Sequence, residues 1–268
     1  MEMGLRGRTA IITGSSHGIG KAIAISLAKE GVKVAICARN PETLTAVQDE
    51  IQRSGGEVVA ISVDVTDPAD VRKVVTRTIS EYDNKIDILI NNVGGAEKFG
   101  SFLELSDKDW HDSFELNVMP IIQFVRETLP WLRLSPAPRI INLSSISGIE
   151  PGFYNPHYTI MKAAIINLTK YLANQFAKDG ILVNVVCPGP IFSNSWDRNV
   201  QRIADLQDIS FDEAKKLVDN EEAAKIPLGW IGTGDDVASL VTFLASDQAN
   251  WITGSCYSVD GGKLRSMH

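Results

Sequence analysis

An α/β protein built on a doubly wound parallel sheet of about seven strands, with helices on both faces, is what this sequence of 268 residues predicts. Three observations carry that prediction. Short runs rich in Val, Ile and Ala alternate with longer amphipathic stretches along the chain. Those runs are apolar throughout rather than at every second position, as in strands covered on both faces. A glycine-rich turn joins the first run to the first helical stretch, where a backbone can cradle an anion.

The first run, Thr9–Thr13 (TAIIT), is a short strand rich in β-branched residues, and a helix is expected over 19–29. Further strands are expected at 32–38, 57–63, 86–90, 139–143, 181–186 and 257–259, the last closed by Asp260-Gly261-Gly262. Pro41 suits the first turn of one helix, and Asp67-Pro68 opens another. Right-handed crossovers then wind the strands into one sheet. There is no internal repeat, low-complexity tract or Pro/Gly/Ser-rich linker, so a single domain over 1–268 is expected. The stretch 190–230 is polar, helical in places and the least regular, which reads as a lid over a binding site.

Composition narrows the function. Hydrophobic residues make up 44% and charged residues 22%, as in ordinary globular proteins, and the net charge of −7 argues against a nucleic-acid partner. No apolar run approaches the roughly 20 residues of a membrane span. The opening Met1-Glu2-Met3-Gly4-Leu5-Arg6-Gly7-Arg8 has no apolar leader, so a cytoplasmic location is expected. Cys37, Cys187 and Cys256 lack the spacing of a zinc site or a redox pair; buried reduced thiols and no metal are expected.

The turn reads Thr13-Gly14-Ser15-Ser16-His17-Gly18-Ile19-Gly20. Glycines let the backbone approach a pyrophosphate at the helix N-terminus. Five residues separate Gly14 from Gly20, and Lys21 is followed by Ala22, which is not the spacing of a Walker loop. A plain tight turn would show the same glycines, so the end of the second strand is the test. An acid there would bind a free adenine ribose; this chain has Ala38 and then Arg39. An arginine can pair with the 2′-phosphate of NADP. NADP(H) is therefore the expected cofactor and NAD(H) the lesser alternative, with His17 able to flank the same phosphate.

Tyr158 and Lys162 are four residues apart on an expected helix, so hydroxyl and ammonium can converge. A free tyrosine titrates near 10. A neighbouring ammonium should lower that value and make the pair a general acid/base. Ser145, just beyond the strand at 139–143, can hydrogen-bond a substrate oxygen as charge develops on it. Each feature alone occurs by chance; their order along one chain does not.

With Asp64-Val65, Asn91-Asn92-Val93-Gly94, Asn117, Pro188-Gly189 and Val259-Asp260-Gly261-Gly262 added, the chain resembles the short-chain dehydrogenase/reductase family over essentially its whole length. The resemblance implies a Rossmann-type sheet and hydride transfer between a nicotinamide and a carbonyl or secondary alcohol. It implies that Tyr158 protonates the carbonyl oxygen, that Ser145 holds it, and that Lys162 binds the nicotinamide ribose and tunes the tyrosine. Asn117 would keep a water linking that lysine to solvent. Cofactor contacts are implied for Gly14, Ser16, His17, Gly18, Ile19, Gly20, Arg39, Asp64, Val65, Asn91, Val93, Gly94, Tyr158, Lys162, Pro188, Gly189, Ile191 and Ser193. Family members usually assemble through helices matching residues near 106–133 and 154–178, so a homotetramer or homodimer is expected. Val93 stands for the usual Ala, Met161 for a small residue, Ser193 for Thr and Trp230 for a basic residue.

Substrate identity is not written in these motifs. The main rival to a free small ketone or alcohol is a 3-oxoacyl group on an acidic acyl carrier protein; a non-catalytic dinucleotide sensor is the other alternative. A carrier protein needs basic docking residues. Asp179 and Leu134-Ser135-Pro136 stand where these are usual, with Arg133 and Arg139 as partial replacements, and Asp219, Glu221 and Glu222 make the lid acidic. A free, fairly apolar ketone or alcohol is therefore expected, walled by Phe153, Tyr154, Phe192, Trp196 and Gly95.

Overall fold

The computed structural model describes residues 2–265, so the ends of the expected domain, Met1 and 266–268, lie outside the described residues. Seven strands form one parallel sheet: β1 (Thr9–Thr13), β2 (Lys33–Ala38), β3 (Val58–Ser62), β4 (Ile88–Asn91), β5 (Arg139–Leu143), β6 (Leu182–Pro188) and β7 (Cys256–Val259). Their order is β3-β2-β1-β4-β5-β6-β7, with parallel pairing throughout. The sequence reading found all seven: it gave β1 and β5 with their observed ends and missed an end of each of the other five by one or two residues. β6 runs on to Pro188 because Pro188 pairs with Val259 of β7.

The helices are α1 (Gly18–Lys29), α2 (Pro41–Arg53), α3 (Pro68–Glu81), α4 (Asp107–Asn117), α5 (Met119–Leu132), α6 (Pro156–Phe176), α7 (Asn194–Gln207), α8 (Phe211–Ala223) and α9 (Gly234–Ala245). Their starts follow local chemistry. The Asn40 side chain accepts from Thr43 N–H and that of Asp67 from Ala69 N–H, each followed by a proline in the first turn. Ser106 and Asp109 form a capping box on α4.

Adjacent residues of each strand serve opposite cores. Ile11 and Ile140 belong to a cluster with α3, α5 and α6, whereas Ile12 and Ile141 belong to one with α1, α2 and α9. This two-sided burial is why the strands read as unbroken apolar runs. The stretch expected to be a lid differs: α7 and α8 share a small core of Val200, Ala204 and Ala214, separate from the other two. Strand order reverses between β1 and β4, and in open α/β sheets ligands bind in the crevice at that point, beyond the carboxyl ends of the strands.

The three thiols are free, and Cys37 and Cys187 are buried as expected, whereas Cys256 is not fully buried. Pairing of β6 with β7 brings Cys187 Sγ and Cys256 Sγ to 3.4 Å, and Cys256 is only half-buried. Among the described residues no helix is long and apolar enough to cross a membrane, and no cluster of three or more His, Cys, Asp or Glu side chains could hold a metal.

Candidate active site

Two loops meet at the switch point. After β1, Gly14 and Gly18 adopt positive φ. After β4, Asn92 binds that turn: its amide donates to Thr13 O at 2.9 Å and Gly14 O at 3.1 Å, and its N–H donates to Thr13 Oγ1 at 2.9 Å. The fit allows nothing larger. A Cβ on Gly20 would lie 2.2 Å from Gly14 O and 2.5 Å from Asn92 Nδ2. In the sequence Asn92 stood only as part of the motif Asn91-Asn92-Val93-Gly94, without a contact of its own. Asn91 instead turns into the sheet and donates to Asn142 Oδ1 at 2.8 Å, so its side chain serves the strand ends rather than the crevice.

Helix α1 points its N-terminus into the crevice. His17 occupies the cap position without a capping hydrogen bond, and the first turn holds no acid. Its exposed ring instead meets Ser16 Oγ through Nδ1 at 2.9 Å. These bare N–H groups and the helix dipole suit an anion. Ile19 packs on the α1-side core, so it contributes to the turn through packing. Arg39 follows the last residue of β2, mostly exposed, with Nη1 3.9 Å from Glu97 Oε1. The Asp64 carboxylate accepts from Thr66 N–H at 3.1 Å and Thr66 Oγ at 2.9 Å, and Val65 is buried beside it.

Helix α6 supplies the other half. Its first turn follows Asn155, held in the left-handed region and bonded to Gly100 in both directions. Tyr158 and Lys162 share one face, with Lys162 Nζ 5.5 Å from the Tyr158 ring centroid. Lys162 is 3% exposed, and Nζ donates to Leu143 O, the end of β5, at 3.1 Å. Ser144 Oγ donates back to Lys162 O at 2.7 Å. Ser145 Oγ accepts from Ser147 N–H at 3.1 Å and lies 3.2 Å from Ser147 Oγ.

Gly94 stands between this lysine and Asn117. A Cβ there would lie 2.7 Å from Asn117 Oδ1 and 2.8 Å from Lys162 Nζ. Asn117, buried at the end of α4, accepts from Gly95 N–H at 2.9 Å and donates to Gly95 O at 3.0 Å and Ser113 O at 2.9 Å. Val93 packs on the α6-side core, and its N–H donates to Thr13 Oγ1 at 3.1 Å.

The strand β6 and the chain beyond it close the far wall. Gly189 donates to Val259 O at 2.9 Å, and a Cβ on it would come within 2.7 Å of Asp260 Cα. Ile191 bridges to Gly232, and Ser193 caps α7. A Cβ on Gly18 would lie 3.3 Å from Ser193 Cβ, so α7 begins directly against the glycine turn.

Burial sets the site's proton affinities. It pushes Lys162 down from 10.5 to about 8, opposed by the neighbouring Cys187 thiol. Burial raises Tyr158, opposed by its hydrogen bond with Ser145. The sequence expectation had the opposite sign for this tyrosine. The reason is that burial desolvates the hydroxyl and outweighs the hydrogen bond with Ser145, while the Lys162 ammonium is bonded to Leu143 O instead. A neutral Tyr158 is thus a proton donor, and Ser145 is its hydrogen-bonding neighbour.

A strand-end serine, a tyrosine and a lysine one helical turn apart, and a glycine turn beneath an uncapped helix now stand around one crevice. Known proteins are similar to this chain in sequence and fold. The family model described as enoyl-(acyl carrier protein) reductase matches residues 14–263. The chain belongs to the short-chain dehydrogenase/reductase family. Among family members, it is 33% identical to the 3-oxoacyl-[acyl-carrier-protein] reductase FabG of Staphylococcus aureus over 256 residues, 95% of this chain and 97% of that one. It is 34% identical to the oxidoreductase UcpA of Escherichia coli over 261 residues, 96% of this chain and 95% of that one. L-Sorbose reductase from Gluconobacter frateurii, solved with NADPH and L-sorbose, superposes with a TM-score of 0.93 at 33% identity, covering 100% of both chains.

One prediction tests the buried lysine. A lysine lowered from 10.5 to about 8 costs the fold roughly 3 kcal/mol while both folded and unfolded chains stay protonated. That cost is fully present below pH 8. It fades as pH rises from 8 to 10.5, where only the unfolded chain still holds the proton. Urea unfolding of the wild type and Lys162→Met should show the wild type gaining on the variant across that window. A stability difference independent of pH would refute the burial.

Proposed function

We propose that this protein is an NADP(H)-dependent oxidoreductase that interconverts a carbonyl and a secondary alcohol on a free small molecule. The convergence of Ser145, Tyr158 and Lys162 beside the bare N-terminus of α1 carries the reading. The chain from 1 to 268 acts as one dinucleotide-binding domain with a lid around 190–230. The glycine turn and the loop after β4 leave no room for side chains at Gly20 and Gly94, where a Cβ would strike backbone or functional side chains, and the bare N–H groups of α1 beside them suit the pyrophosphate of a dinucleotide. Gly14, Ser16, Gly18 and the first N–H groups of α1 would hold the pyrophosphate. Arg39 and His17 would hold the 2′-phosphate, Asp64 and Val65 the adenine, and Gly94, Lys162, Gly189, Ile191 and Ser193 the nicotinamide half. The bound cofactor supplies or takes the hydride. Ser145 holds the carbonyl oxygen, and neutral Tyr158 gives it a proton. Lys162, close to its own titration point near neutral pH, binds the ribose and restores the tyrosine's proton, with Asn117 and Gly95 fixing the ground behind it.

A free substrate is favoured over one on a carrier protein. Arg133 is tied to Asp179 at 2.9 Å, and Arg139 is buried at the start of β5, away from the crevice, so it cannot replace a docking residue as the sequence suggested. Phe153, 99% exposed, and Tyr154 lie just before α6, and Phe99 and Phe102 on the loop after β4, offering apolar surface to a ketone. The likeness to L-sorbose reductase favours a hydroxylated ketone as the second substrate class. NADPH oxidation should be followed with apolar ketones, L-sorbose and a 3-oxoacyl chain on carrier protein. Turnover should favour free ketones and fall about 10²–10⁴-fold in Tyr158→Phe, with NADPH binding kept. Preference for the carrier-bound chain, or near-normal turnover in the variant, would overturn the assignment.

Cofactor choice rests on Arg39. The double change Ala38→Asp with Arg39→Leu should move preference to NAD(H), because an acid binds the free ribose hydroxyl and repels a phosphate. Wild-type efficiency with NADH equal to that with NADPH would contradict the role of Arg39.

Assembly and location complete the proposal. Phe114 on α4 and Ile160 and Tyr171 on α6 leave apolar surface exposed, which suits a homotetramer or homodimer; light scattering should find no monomer at micromolar concentration. Two free thiols 3.4 Å apart, sharing a hydrogen bond and no disulfide, suit the reducing cytoplasm.

A further inference from the structure

Between the glycine turn and the α7–α8 excursion lies a cleft of about 540 Å³. Ser16, His17, Gly18 and Lys21 line one wall; Phe192 and Ser193 line the other, with Asp197 from α7 and Lys215 and Asp219 from α8. We propose that Lys215 is a cofactor-binding residue, whose ammonium leaves Asp219 for the pyrophosphate of the dinucleotide and so ties α8 to the bound cofactor. The proposal rests on the dinucleotide reading above.

Charge and position point the same way. Apart from Lys215, the charged groups that the excursion shows to this cleft among the described residues are two carboxylates, Asp197 and Asp219. A wall of that kind would repel a diphosphate held on the α1 N-terminus. On the opposite wall, Lys21 is bonded to Glu50 at 2.8 Å. Lys215 is the cation placed to answer the anion from the lid side. It lies over the Phe192 ring at 4.7 Å from the centroid, and Phe192 precedes Ser193, the residue that abuts Gly18. Its bond to Asp219 Oδ2, at 3.0 Å, is half-exposed and so readily exchanged. Asp219 keeps a partner after the exchange, because Trp196 Nε1 donates to its Oδ1 at 2.8 Å. Tyr158 and Ser145 do not line this cleft, so Lys215 acts on the cofactor's phosphates and not on the reacting carbonyl.

Fluorescence titration of the full chain with NADPH, and with adenosine 2′-monophosphate, which lacks the pyrophosphate, tests the assignment. Lys215→Gln should weaken NADPH about tenfold and leave the monophosphate unchanged. Asp219→Asn keeps the bond to Trp196, frees Lys215 and removes a repelling charge, so it should tighten NADPH roughly threefold. The proposal is overturned if Lys215→Gln stays within about twofold of wild type. It is equally overturned if that variant weakens both ligands alike, or if Asp219→Asn weakens NADPH, since the pair would then be structural. Failure of the wild type to bind NADPH at all would instead remove the dinucleotide reading on which the proposal stands.

Discussion

Burying a lysine ammonium is costly unless fixed dipoles receive it, and much of the crevice is arranged around that constraint. Lys162 meets it with the last carbonyl of β5, which fixes the distance between the sheet edge and α6. Ser144 returns a bond to the lysine's own carbonyl, closing a two-point clamp between strand end and helix. Gly94 must lack a side chain because Asn117 Oδ1 and Lys162 Nζ occupy the space a Cβ would need. Asn117 in turn holds Gly95 through both its N–H and its C=O. One buried charge thereby sets the relative positions of β5, α6, α4 and the loop after β4.

The second half of the crevice is built from backbone rather than charge. The β1 turn and the β4 loop touch through Thr13 and Asn92, and the reversal of strand order brings them together. α1 then presents free N–H groups where α2, α3 and α4 have a side-chain cap. The contrast is physical: a capped end is already satisfied, whereas an uncapped end beside glycines is available to an anion. The α7–α8 excursion stands apart, with a small core of its own. An element that shares little core with the sheet can shift without unpacking it.

Much of this was legible in the chain. Strands buried on both faces leave unbroken apolar runs, so all seven were found from Thr9–Thr13 to the Val259 end. Helix starts at Pro41 and Pro68 were legible because capping is a local interaction between neighbours in sequence. Tyr158 and Lys162 were legible as a pair because four residues make about one helical turn. The order of the glycine turn, Ser145 and this pair along the chain fixed the family.

What the sequence could not determine depends on desolvation and on contacts between distant segments. The sign of the Tyr158 shift was decided by burial, which no local pattern reports. Asn91 and Asn92 are neighbours with the same side chain, yet register sends one amide to Asn142 across the sheet and the other to Gly14 across the crevice. Arg139 became a buried strand residue rather than a docking group, and Cys187 met Cys256 only through the pairing of β6 with β7. Sequence by itself determined the strands and the helical spacing of Tyr158 and Lys162, because periodicity and capping act within a few residues. Tertiary structure alone decided which groups lost water and which distant side chains touched, because both depend on how the sheet is wound.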